Sequence, residues 1–73
     1  MAANIRLKTA RVSRGMTQLQ LAEKTGRKEI EISRYETGRA TPDAATADRI
    51  AATLGYARIE LGLTGHDGKR GAA

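Results

Sequence analysis

The chain has 73 residues, a net charge of +5, 40% hydrophobic residues and no cysteine. That allows one small domain with a thin core, since a chain of about 60 residues buries only about 60% of its unfolded surface, and it excludes a disulfide framework, a cysteine zinc site and a thiol nucleophile. No apolar run approaches the roughly 20 residues needed to cross a bilayer, and the basic N-terminus MAANIRLKTARVSR lacks the apolar stretch of a signal peptide, so the expectation is a soluble, cytoplasmic protein.

Glycines set the punctuation. Gly15, Gly26, Gly38 and Gly55 each follow a stretch with helical spacing, and glycine is the preferred residue just past a helix end. The first predicted helix covers about residues 4–14, with Leu7 and Arg11 on one face and Ala10 and Arg14 beside them. The second covers about 17–25. Thr17-Gln18-Leu19-Gln20 has the form of a capping box, and Leu21, Ala22 and Thr25 supply the inner face. The third covers about 28–37, with Ile32 and Tyr35 marking its buried stripe.

Pro42-Asp43 announces the fourth predicted helix, about 43–54, with Asp43 as N-cap and Ala47, Ile50, Ala51 and Leu54 at helical spacing. A short fifth helix over about 57–62 is anchored by Leu61 and Leu63 and weakened by Gly62. Residues 1–63 thus form one all-α domain, and Thr64 to Ala73, rich in glycine, is expected to be a disordered tail. The alternation Glu29-Ile30-Glu31-Ile32 is too short, inside a helical period, to be read as a strand.

The charge is unevenly placed. Residues 1–39 carry nine Lys or Arg and four Glu, whereas residues 40–73 balance four bases with four acids. A localised basic face suits a polyanion, most often nucleic acid; a solvated, solubilising surface is the alternative. Enzymatic work has little support. The single His66 sits in the Gly-rich tail without a partner for base or metal chemistry. No catalytic residue, metal or cofactor is expected.

Two helices joined by a tight Gly-containing turn form a helix-turn-helix arrangement. The run MTQLQLAEKTG, then IxxYETG, then TPD and IAATLG resembles the Cro and phage-repressor family, also called lambda-repressor-like or Xre. The resemblance covers about residues 4–63, and Thr17-Gln18, Leu21-Ala22, Gly26, Ile32, Glu36, Gly38, Pro42 and Leu54-Gly55 carry it in one register. It implies a five-helix bundle whose third helix lies in the major groove while the second crosses the DNA backbone. It further implies a sequence-specific transcriptional regulator, a repressor, acting as a homodimer on a near-palindromic operator in the nucleoid.

With about 100° per residue and Ile32 pointing inward, Ile30 and Arg34 fall about 160° away. The expected reading surface is Lys28, Glu29, Ile30, Ser33 and Arg34, and the family's base-contacting positions match Glu29, Ile30 and Arg34. Arg34 suits a guanine edge and Glu29 a cytosine amino group. Ile30 suits a thymine methyl, or else is partly buried or inert. Glu29 and Glu31 also suit the first turn through the helix dipole, and Glu31 is read as structural.

For the phosphates the resemblance implies Gln18 at the start of helix two and Arg39 in the loop after Gly38, with Thr17, Arg27 and Lys28 nearby. It also implies a structural salt bridge between Arg11 and Glu36. Glu36 falls about 40° from Ile32 on the wheel, and an inward carboxylate needs a partner. The dimer surface is expected after Gly55, through Tyr56, Ile59, Leu61 and Leu63, which otherwise close the monomer's core. The sequence departs from the family pattern at Arg27 and Lys28, which leaves helix three without a good N-cap, and in its two Glu near the reading face.

Three further readings share the fold. One is the antitoxin of a toxin pair, one the controller of a restriction–modification operon, and one an adaptor without DNA binding, supported by Glu29, Glu31 and Ile30. Toxin or polymerase partners belong to these readings. Membrane does not.

Overall fold

The computed structural model describes residues 3–63. The expectation for the tail at 64–73, and His66 with it, lies outside the described residues. Among the described residues four α-helices run in chain order: α1 Ile5–Ser13, α2 Gln18–Thr25, α3 Glu29–Thr37 and α4 Ala44–Leu54. A single 3-10 turn follows at Arg58–Leu61. There is no strand among the described residues.

Each start has a local chemical cause. Asn4 caps α1, its Oδ1 accepting from the Leu7 amide at 3.0 Å. At α2 the capping box closes in both directions: Thr17 Oγ1 accepts from the Gln20 amide at 3.0 Å, and Gln20 Oε1 from the Thr17 amide at 2.8 Å. Asp43 caps α4 through the Thr46 amide at 2.8 Å. α3 is the exception. Lys28 makes no side-chain cap bond, and Glu31 compensates by accepting the Lys28 amide at 2.8 Å.

The turn between α2 and α3 depends on Gly26, which sits at φ +71°, ψ 24°. There the Arg27 amide reaches back to the Ala22 carbonyl at 2.9 Å. Only glycine enters this left-handed region without strain, so the chain can reverse within Gly26, Arg27 and Lys28.

The expected fifth α-helix is corrected to the 3-10 turn. Its bonds span three residues, Glu60 amide to Ala57 carbonyl at 3.0 Å and Gly62 amide to Ile59 carbonyl at 3.2 Å. With Gly62 already left-handed at φ +68°, no room remains for α-helical bonding, and Leu63 closes the turn onto the Arg58 carbonyl at 3.0 Å.

Leu7, Leu21, Ile32, Ile50, Leu54, Leu61 and Leu63 form the fully buried core, with Tyr35 at its edge. Such a side chain contributes about 1.5–3 kcal/mol on burial. α2 packs against α3 and α4, while α1 packs against α3 and the 3-10 turn. The turn therefore acts as a plug that closes the bottom of the core. Leu61 and Leu63 are each 1% exposed. That corrects their assignment to a dimer surface: both side chains are spent inside the protomer.

Candidate nucleic-acid interface

α3 has one face locked and one face free. The locked face is built around Glu36, which is 4% exposed. Arg11 of α1 donates Nε to Glu36 Oε2 at 2.6 Å and Nη2 to Oε1 at 3.2 Å. Its remaining arm, Nη1, donates to the Met16 carbonyl at 2.7 Å, in the linker before α2. Gln18, first residue of α2, donates Nε2 to Glu36 Oε1 at 3.0 Å. One carboxylate thus ties α1, α2 and α3 together, with each buried charge met by opposite charge and by hydrogen bonds.

Beyond the helix-turn-helix pair, α1 is held by two ties that sequence reasoning missed. Asn4 Nδ2 donates to the Leu61 carbonyl at 2.9 Å, and the Asn4 amide donates to the Glu36 carbonyl at 2.8 Å. Arg14 donates Nε to the Leu54 carbonyl at 2.8 Å, and its guanidinium lies 4.8 Å from the centre of the Tyr56 ring. The Asn4–Leu61 and Arg14–Leu54 bonds span 57 and 40 residues, so helical periodicity carries no signal for them. Arg14, one of the nine bases of the first half, acts here as a cap on the end of α4.

On the free face, Lys28, Glu29, Ile30 and Arg34 are exposed and Ser33 is partly buried. Ile30 is 53% exposed, against 0% for Ile32 on the opposite side. The side chains of Lys28, Glu29 and Arg34 make no hydrogen bond or ion pair among the described residues, so their polar groups are open to solvent.

The flanks carry the residues expected to hold phosphate. Thr17 is exposed, with Oγ1 engaged in the cap. Gln18 is partly buried, with Nε2 turned to Glu36. Arg39 is exposed, its side chain without a partner among the described residues. Arg27 is more constrained: Nε donates to the Gly26 carbonyl at 3.2 Å, and Nη1 stands 3.9 Å from Glu31 Oε2. Burial raises the Tyr35 pKa above its ordinary 10.0, the Glu31 and Asp43 carboxylates push the same way, and Arg27 opposes them.

The family model described as Helix-turn-helix matches residues 7–61. The chain belongs to this helix-turn-helix family, the Xre or lambda-repressor-like one. No curated protein and no solved structure matches the chain. The helix-turn-helix match runs from Leu7 within α1 to Leu61 at the end of the 3-10 turn and so takes in Arg11, Gln18 and Glu36. It supports a DNA-binding transcription regulator in general terms. No helix among the described residues is long and apolar enough to cross a membrane.

Of the residues after Gly55, Ile59 is 66% exposed and Tyr56 is partly buried against the core. With Leu61 and Leu63 inside, these two are what the expected dimer surface retains.

Proposed function

We propose that this chain is a sequence-specific transcriptional repressor that binds a near-palindromic operator as a homodimer, with α3 in the major groove. The observation that carries the reading is the division of α3. Its inner face is immobilised through Glu36, and its outer face presents Arg34, Lys28 and Glu29 with no side-chain partner among the described residues. A rigid helix with unspent donors and acceptors is suited to reading base edges, because little ordering entropy is lost on contact.

Arg34 reads a guanine through its forked guanidinium, and Glu29 accepts from a cytosine amino group. Lys28, Ile30 and Ser33 complete the reading face. Thr17 and Gln18 meet one phosphate at the N-terminus of α2, where free amides and the helix dipole favour an anion. Arg39 and Arg27 hold the backbone beside α3. These contacts position the protein without reading sequence. The phosphate role of Gln18 uses its second amide proton, since the first is held by Glu36.

One chain carries one recognition helix, so a specific site needs two copies on half-sites about one helical turn apart. Ile59 and Tyr56 are the surface residues assigned to that contact. Repression then follows from occupancy of the operator.

A gel shift on genomic fragments, run at low and at moderate salt, tests the reading. A small subset of fragments should stay bound at moderate salt. Retention of no fragment, or of all fragments equally, would favour an adaptor that keeps the fold without reading DNA.

A further inference from the structure

Ile30 and Arg34 stand four residues apart on the outward face of α3. Residues at this spacing are surface neighbours, with Cβ atoms roughly 5–6 Å apart. Ile30 exposes 53% of its surface to water, and it is not among the hydrophobic residues packed on the core of the described residues. The Arg34 side chain beside it is exposed and unpaired among the described residues. An apolar branched group and a guanidinium fork therefore share one patch of the reading face. Glu29, about 100° round the helix from Ile30, flanks this patch at the start of α3.

This pair of chemistries has a counterpart in the major groove. Guanine offers O6 and N7 to an arginine fork, and a pyrimidine with a 5-methyl group offers an apolar contact. Successive bases on one strand are about 3.4 Å apart, so neighbouring side chains on one helix face can cover one base step. The 5-methyl group is common to thymine and 5-methylcytosine. Unmethylated cytosine lacks it.

We propose that Ile30 and Arg34 act as one composite reader of a 5-methylpyrimidine–guanine step, so that this chain accepts TG and 5-methyl-CG at the same place in its site and discriminates against unmethylated CG. The inference deepens the DNA-reading function above and rests on it. It makes Ile30 a specificity-determining residue and makes cytosine methylation an input to binding.

The experiment has two stages. Sites are first selected by the wild-type chain from a random duplex pool. The pyrimidine of the pyrimidine–guanine step in the selected site is then made thymine, 5-methylcytosine or cytosine, and dissociation constants are read by fluorescence anisotropy. One methyl group in apolar contact corresponds to about a fourfold change in affinity. The methylated cytosine duplex should bind about threefold to fourfold tighter than the unmethylated one, and the thymine duplex should change in the same direction. Ile30→Ala should erase the gap, with an unchanged circular-dichroism melt confirming that the variant folds.

Equal affinity for cytosine and 5-methylcytosine overturns the inference, as does a gap that survives Ile30→Ala. A selected motif without a pyrimidine–guanine step overturns it too, and leaves the DNA-reading function standing. A pool that returns no motif overturns both.

Discussion

The Arg11 guanidinium and the Glu36 carboxylate meet inside the fold at 2.6 Å, with side chains 10% and 3% exposed. Neither charge has access to enough water to stand alone. Among the described residues Arg11→Met leaves the Glu36 carboxylate with the Gln18 amide alone, so the loss should be about 3–5 kcal/mol, as for other broken buried pairs. Urea unfolding at constant m-value checks it. Replacing both partners, Arg11→Met with Glu36→Leu, should recover much of the stability, because the desolvated charge is gone. An unchanged midpoint in the single variant would mean that the pair does not hold α3.

Arg14 joins the end of α1 to the end of α4 through the Leu54 carbonyl and the Tyr56 ring. Arg14→Ala should cost about 1–2 kcal/mol in thermal or urea unfolding, the range of one hydrogen bond from a charged donor plus an aromatic contact. The salt dependence of DNA binding should stay as it is. A salt slope lowered by about one would instead put Arg14 on a phosphate.

Tyr35 gives a pH dependence with a definite sign. Its phenol is held above the ordinary 10.0 chiefly by burial, with Glu31 and Asp43 adding to the shift and Arg27 opposing it. A group whose folded pKa is raised contributes stability that is complete below the unfolded pKa and is lost as pH rises through the folded one. The wild type should therefore lose stability above about pH 10 more steeply than Tyr35→Phe. Urea midpoints measured across the alkaline range check this. Parallel alkaline limbs would contradict it.

What the sequence made legible is local. The capping box at Thr17 and Gln20, the cap at Asp43 and the left-handed Gly26, Gly38 and Gly55 each act over three or four residues, where helical spacing is informative. The outward position of Arg34 and the inward position of Glu36 also follow from the wheel. What escaped is tertiary. The ties from Asn4 to Leu61 and from Arg14 to Leu54 join residues far apart in the chain. From the sequence Leu61 and Leu63 are assigned to a dimer surface, with core closure as the alternative, and only the packed turn shows them buried in the core. The 3-10 form of that turn depends on how closely Gly62 follows Ala57. Burial of Gln18 against Glu36 needed the approach of α2 to α3.

In the proposed complex the exposed basic residues divide their work, Arg34 reading a base and Arg39 holding the backbone. Selection of bound sites from a random DNA pool, run with the wild type, Arg34→Ala and Arg39→Ala, tests it most directly. The wild type should return a two-fold symmetric motif with half-sites about one turn apart. Arg34→Ala should relax one position per half-site, at about 1–3 kcal/mol. Arg39→Ala should return the same motif with weaker binding to every sequence and a salt slope reduced by about one. Identical motifs from both variants, differing from the wild type only in affinity, would contradict the claim.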